Sequence, residues 1–207
     1  AVERLKIMEG TTMAYPLSVC GTCVSPSPNY ATFRAIDLET RFDVAFFGVL
    51  SYSLDLVKLS KAEKEAIKKQ IEFYKQYRQV VQFGIFSCEE KNGITYFTAA
   101  SPDRTTILVL YMQTLLTSNC FDDILRVPLA SENYVYRVTR RDYNAPIWDI
   151  GGDVRGYKKE EEAYEVSGDT LKWAGIKLST RYSGSGYQTG MRVMPDFSSR
   201  LYIIKKL

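Results

Sequence analysis

The chain contains no histidine, which removes the commonest general base and the commonest zinc ligand together. Serine and cysteine triads of the usual kind depend on an imidazole, so they are excluded within this sequence. Charge of one sign is scarce as well: 27 Lys and Arg stand against 24 Asp and Glu, a formal net charge of +3. With the two signs interspersed, there is no electrostatic footprint for nucleic acid. No apolar run approaches the roughly 18 residues that a membrane-spanning helix requires. Neither nucleic acid nor a membrane is therefore expected as a partner. The first residues show no signal-peptide pattern. Only four cysteines are present, which suits a reducing cytoplasm, and a cytoplasmic location is the expectation.

What is there describes an ordinary globular protein. Hydrophobic residues make up 45% and charged residues 25% of 207 positions, enough for one large domain or two small ones. Fifteen tyrosines and ten phenylalanines suit packed sheets and sugar-facing surfaces equally.

The pattern changes character near Gly84. Before it, helical segments alternate with short apolar strands. Val2 to Tyr15 reads as a helix with Leu5, Met8 and Thr12 on one side, stopped before Pro16. Val19 to Ser25 reads as a strand, and Pro26-Ser27-Pro28-Asn29 forces a loop. The spacing of Phe42, Ala45 and Phe46 predicts a helix over Leu38 to Phe47. Gly48 stops it, and Val49 to Leu56 reads as the next strand. Ser60-Lys61-Ala62-Glu63 is a capping box. It opens a long helix to about Gln82 with Ile67, Ile71, Tyr74, Tyr77 and Val81 as its apolar stripe. Its charges, Glu65 with Lys69 and Glu72 with Lys75, have the spacing of solvated surface pairs.

After Gly84 the period becomes alternating. Ile94 to Ala100, Thr105 to Leu115, Ile124 to Val127, Asn133 to Thr139 and Arg200 to Lys205 read as strands. Ile107 to Met112 is apolar on both faces, like a central strand of a covered sheet. An antiparallel β-sandwich over residues 85–207 is expected, with Gly151 to Gly156 as a glycine-rich, charged stretch.

Candidate chemistry is thin. Cys20-Gly21-Thr22-Cys23 has redox spacing, but Val24-Ser25-Pro26-Ser27-Pro28 follows it instead of the helix that would lower a thiol pKa. Cys88 and Cys120 supply no second pair for zinc. Acidic clusters at Glu89-Glu90, Asp122-Asp123 and Glu160-Glu161-Glu162 are placed in turns or loops, where nothing holds two carboxylates at glycosidase separation. Asp55, near a strand end, reads as a structural hydrogen-bond acceptor before a catalytic group. Gly184-Ser185-Gly186 and Gly151-Gly152 lack the strand-to-helix setting of a phosphate loop. Trp148 and Trp173 are candidates for stacking on sugar rings, though sandwich aromatics are more often core.

Several separated segments, in order, carry a family resemblance. Ala1-Val2-Glu3-Arg4-Leu5-Lys6-Ile7, Tyr15-Pro16 and Gly21-Thr22-Cys23-Val24-Ser25-Pro26-Ser27-Pro28-Asn29 are followed by Leu38 to Arg41 and Tyr52-Ser53-Leu54-Asp55-Leu56. Gln70-Ile71-Glu72-Phe73-Tyr74-Lys75 comes next with Arg78 and Gly84. Ser167-Gly168-Asp169-Thr170-Leu171 with Gly175, then Asp196-Phe197-Ser198-Ser199-Arg200-Leu201-Tyr202, complete the set. Together these resemble the last part of bacterial α-galactosidases of glycoside hydrolase family 36. Cys23, Tyr30 and Ser53 depart from the family pattern, which commonly has His, His and Glu there.

The resemblance implies an α+β chain: residues 1–84 as the end of a TIM (β/α)8 barrel, and residues 85–207 as the C-terminal β-sandwich domain. It implies a parent enzyme that hydrolyses terminal α-galactosides such as melibiose and raffinose with retention, without a cofactor or metal. In that family one aspartate attacks the anomeric carbon and another serves as acid and base. The resemblance places both upstream of Ala1, so no catalytic residue is carried over, and the chain by itself is expected to be inactive. Two parallel strands with open edges are expected to rearrange around the long helix, or to pair with another copy or with the missing part. A homo-oligomer is expected. The alternative is a non-catalytic carbohydrate-binding or oligomerisation module.

Overall fold

The computed structural model describes residues 1–115, 123–141, 164–178 and 196–207. Helix α1 (Val2–Thr12) buries Leu5 and Met8 and ends one turn earlier than the expected Tyr15. Leu17–Val19 forms a short 3-10 turn before strand β1 (Gly21–Val24), so the strand starts later than Val19. Helix α2 (Leu38–Phe46) starts at Asp37, whose side chain accepts the Thr40 amide and caps the free N–H groups. Strand β2 (Val49–Tyr52) pairs in parallel with β1, from Gly21 opposite Val49 to Val24 opposite Tyr52. Helix-linked parallel pairing makes β1–α2–β2 a βαβ unit. The strand expected to reach Leu56 stops at Tyr52.

Helix α3 (Lys61–Phe83) has the capping box that its sequence announces: the Glu63 amide donates to Ser60 Oγ, and the Ser60 amide donates to the Glu63 carboxylate. It buries Ile67, Tyr77 and Val81 as expected, and also Gln70.

Beyond Gly84 the chain forms β3 (Ile85–Lys91), β4 (Ile94–Ala100), β5 (Thr106–Gln113), β6 (Asp123–Leu125), β7 (Val135–Arg140), β8 (Tyr164–Ser167), β9 (Ile176–Leu178) and β10 (Ser198–Lys206). Six of these make one antiparallel sheet in the order β3-β4-β5-β10-β7-β8, while β6 and β9 form a separate antiparallel ribbon. The antiparallel sheet expected after Gly84 is therefore present within a chain of mixed helix and sheet.

Two details correct the sequence expectations. Glu89 and Glu90 lie in β3, an edge strand, and not in a turn. Asn92 and Gly93, both at positive φ (53° and 74°), make the two-residue turn between β3 and β4, the conformation that Asn-Gly favours in a hairpin. Thr170–Ala174, inside the stretch expected to be a β-sandwich, forms a π-helical turn between β8 and β9.

The sheet is covered on both faces, and β5 shows why its sequence is continuously apolar. Leu108, Leu110 and Met112 face a core shared with Leu5, Met8, Phe42, Phe46, Phe47, Tyr77 and Val81. Ile107, Val109 and Tyr111 face a second core with Leu125, Val127, Ala130, Leu171 and Leu178. Aromatic edges knit the first core: Phe47 meets Phe97 of β4 at 5.8 Å between centroids, and Phe46 meets Phe73 of α3 at 5.2 Å. Fully burying each such side chain is worth about 1.5–3 kcal/mol.

Candidate functional site

The parallel pair β1–β2 sets the local frame. Thr22, buried in β1, donates its hydroxyl to the Ala45 carbonyl at 2.5 Å, tying the strand to α2. Ser51 Oγ donates to the Thr22 carbonyl at 2.7 Å, and the Ser53 amide donates to the Val24 carbonyl at 3.0 Å. Gly48 lets β2 start this close: a Cβ there would lie 2.4 Å from Thr22 Cγ2 and 2.6 Å from the Cys20 carbonyl. At the C-terminal end of β1, Arg41 donates to the Ser25 carbonyl and also, through Nε, to the Asp37 carbonyl at 3.2 Å.

A run of polar side chains leads from the end of β2 into the protein. The Tyr52 hydroxyl donates to Gln70 Oε1 at 3.0 Å, and Gln70 Nε2 donates to Glu39 at 2.9 Å. Arg141, directly after β7, donates to the other Glu39 oxygen and lies 3.1 Å from Asp43 Oδ1. Ser199 of β10 donates to Asp43 Oδ2 at 2.7 Å. The Arg141 guanidinium also rests over the Phe42 ring at 4.5 Å and near Phe73 at 5.3 Å. A single cation thus meets two carboxylates of α2 and two aromatic faces, with its side chain 7% exposed.

Burial raises the Asp43 pKa above the usual carboxylate range, more than Arg141 and Ser199 lower it, with Glu39 and Asp37 adding repulsion. Sharing Arg141 with Glu39 explains why the cation does not prevail. Burial likewise raises the Tyr52 pKa, helped by the Glu39 charge, so the phenol stays protonated and remains a donor. Both carboxylates are occupied by Arg141; Asp43 is buried, and Glu39 is half-buried with 24% of its side chain exposed. They can hold α2, α3 and β2 against the sheet.

The residues singled out from sequence fall mostly into structural roles. Asp55 lies in an exposed turn, accepts the Val57 amide at 3.1 Å and pairs with Lys58 at 3.4 Å. Cys20 is buried before β1, with burial raising its pKa, and Cys23 lies within β1; neither starts a helix. Cys88 in β3 is pushed up to about 12, chiefly by burial and then by Glu9, Glu90 and Glu89. Among the described residues, no group of three or more His, Cys, Asp and Glu is placed to hold a metal. Among them too, no helix is long and apolar enough to cross a membrane. Trp173 is exposed, and its indole N–H donates to Glu132 at 3.2 Å. Cys120, Asp122, Trp148, Gly151 to Gly156, Glu160-Glu161-Glu162 and Gly184-Ser185-Gly186 lie outside the described residues.

The sequence assigns no site role to Glu39, Asp43, Gln70 or Arg141, yet three carry a signal. Glu39 and Asp43 are four apart on one helix face, and Asp43 interrupts the apolar run Phe42 to Phe47. Gln70 sits three residues after Ile67, on the apolar stripe of α3. Arg141 has no local signal, because its partners are distant in the chain.

Comparison with known proteins fits this frame. Residues 1–84 match the family model Melibiase, and residues 94–204 match that of the glycosyl hydrolase family 36 C-terminal domain. The α-galactosidase AgaA of Geobacillus stearothermophilus is 39% identical over 187 residues, which are 88% of this chain and 22% of that protein. α-Galactosidase 1 of Pediococcus pentosaceus is 41% identical over 64% of this chain and 18% of its own length. A crystal structure of an AgaA variant in complex with raffinose superposes over 100% of this chain and 24% of that one, with a TM-score of 0.76 and 32% identity. The α-galactosidase from Lactobacillus brevis does so with a TM-score of 0.77 and 28% identity, again over 100% of this chain and 25% of that one. The chain therefore spans about a fifth to a quarter of the length of these relatives. With its larger part matching the family's C-terminal domain, the chain belongs to glycosyl hydrolase family 36.

Proposed function

We propose that this chain is the C-terminal portion of an α-galactosidase that hydrolyses terminal α-galactosides, such as melibiose and raffinose, with retention. Residues 1–84 supply the last strands and helices of its (β/α)8 barrel, and residues 85–207 its sandwich domain. The observation that carries this reading is coverage: the whole chain superposes on family 36 α-galactosidases while matching only 24% of such a structure. The parallel β1–α2–β2 unit followed by α3 is what the end of such a barrel would contribute.

In this reading the chain shapes the active centre and does not perform the chemistry. Retaining hydrolysis needs two carboxyl groups about 5–5.5 Å apart flanking the glycosidic bond. Glu39 and Asp43 converge instead on the buried Arg141 guanidinium. The nucleophile and the acid/base belong to the part of the relatives that this chain does not match. The chain's task is mechanical: Arg141, Asp43 and Ser199 pin α2 to the sheet, and Gln70 carries that constraint to Tyr52 at the end of β2. A cytoplasmic, homo-oligomeric parent enzyme acting without a cofactor completes the proposal.

A chimera tests it. The matching C-terminal portion of the Geobacillus α-galactosidase is exchanged for this chain, and raffinose hydrolysis is measured on the folded product. Activity is expected. A folded chimera without activity contradicts the proposal.

A further inference from the structure

The covering layer of the sheet leaves a cleft on the side where β3 forms the edge. Glu89 pairs in register with Tyr96, which pairs with Tyr111, so these side chains share the face that holds Tyr111 in the second core. Lys91, two residues beyond Glu89, projects from the same side. Across from them stand Arg126 and Lys172, and Asn92 closes the hairpin end. The cleft is open to solvent and holds about 300 Å³, at the lower end of the roughly 300–1,000 Å³ of small-ligand clefts.

Arg126 Nε donates to the Trp173 carbonyl at 3.1 Å, which fixes the guanidinium against the π-helical turn. Gly175, at φ 82°, makes that approach possible: a Cβ there would lie 2.5 Å from Ile124 Cγ2 and 2.9 Å from Arg126 Cγ. Lys172 is already neutralised by Glu132 at 2.7 Å and lies 4.8 Å from the Trp173 ring centroid. Its charge is thus spent locally, and the cleft is not a strong anion trap.

What remains is a mixture: Lys91 and Arg126 as donors, Glu89 as an acceptor, Asn92 as both, and the half-buried Tyr96 as the aromatic surface. A phosphate carries negative charge, and the Glu89 carboxylate would repel it. Sugar hydroxyls donate and accept, and sugar rings lie against aromatic faces. We propose that this cleft between the hairpin β3–β4 and the β6–β9 ribbon binds a neutral saccharide unit. The chemistry of the wall specifies a sugar; only the choice of galactosides among the probes rests on the proposed function.

The test is a titration of the isotopically labelled chain followed by amide NMR. Methyl α-galactoside, raffinose, methyl α-glucoside and inorganic phosphate serve as probes. Saturable shifts are expected at Asn92, Tyr96 and Arg126 with at least one saccharide. Arg126→Met and Lys91→Ala, both at exposed positions, should each weaken binding, the former about tenfold. No response to any saccharide overturns the inference, as does a stronger response to phosphate or saccharide binding unchanged in both variants. A cleft that takes the glucoside and refuses galactosides upholds it while counting against the α-galactoside reading. Failure here with an active chimera leaves that reading standing.

Discussion

The Arg141 guanidinium lies 3.1 Å from the Asp43 carboxylate, joining the end of a sheet strand to a helix distant in sequence. The same cation holds Glu39 one helical turn away. A buried pair is weak evidence of net stabilisation, but removing one partner leaves the other charge uncompensated. Arg141→Met should therefore lower the unfolding free energy by about 3–5 kcal/mol, read from the denaturant midpoint. Combining it with Asp43→Asn should recover part of that loss. A single variant within about 0.5 kcal/mol of the parent, the scatter of surface substitutions, would show that the clamp is idle.

Asp43 also sets a pH dependence. Its folded pKa is raised, chiefly by burial, so between the unfolded carboxylate value and the raised folded value the native state holds the extra proton. Stability then falls as pH rises through that window and levels off above it. Glu3, Asp103 and Asp169, whose pKa values are lowered by hydrogen bonds, act oppositely and favour folding above their unfolded values. The difference between the parent and Asp43→Asn isolates the first effect. Measured upward from about pH 4, near the ordinary carboxylate value, that difference should move steadily in favour of the variant. A flat difference would place the Asp43 pKa at its ordinary value.

How far could this have been read from the residues? The long helix α3 was legible because Ser60 and Glu63 state its start and Ile67, Tyr77 and Val81 keep its period. β5 was legible because a strand buried on both faces needs no alternation. Strand β3 was not picked out: only Phe86, Ser87 and Cys88 are partly buried in its interior while Glu89, Glu90 and Lys91 are exposed, so an edge strand shows little pattern. Asn92-Gly93 was its remaining signal. The polar clamp was hidden for a different reason. Its members come from α2, α3, β2, β10 and the end of β7, and one-dimensional spacing records no contact between elements.

The glycines make a paired prediction. Gly48→Ala would drive a Cβ to 2.4 Å from Thr22 Cγ2 and 2.6 Å from the Cys20 carbonyl, and the backbone contact has no flexible end to yield. A loss of about 1–3 kcal/mol is expected, the usual cost of overpacking. Gly10, inside α1, has nothing within 4 Å of the same position. Gly10→Ala should raise stability by up to about 1 kcal/mol through helix propensity. Thermal unfolding of the two variants checks the opposite signs.

Cap chemistry gives a smaller effect. Ser60→Ala removes the acceptor for the Glu63 amide, at 3.2 Å, and breaks the reciprocal box. Stability should drop by about 0.5–2 kcal/mol, with fraying of the first turn of α3 visible in amide exchange. Unchanged exchange there would mean that packing alone holds the helix start.

Thiol reactivity tests the placement of Cys88. With its pKa pushed up to about 12, Cys88 holds almost no thiolate near neutrality. Iodoacetamide at pH 8 should leave Cys88 unlabelled in the folded chain and label it in denaturant, as read by peptide mass spectrometry. Rapid labelling of the folded protein would contradict its placement.

The central claim concerns where the chemistry resides, and galactose release by the purified chain tests it directly. General acid–base assistance alone is worth about 10²–10⁴-fold, so loss of both catalytic carboxyl groups should leave no turnover of an aryl α-galactoside above the protein-free control. Sustained release by the pure chain, proportional to its concentration, would mean that two acids able to cut the glycosidic bond lie within these 207 residues.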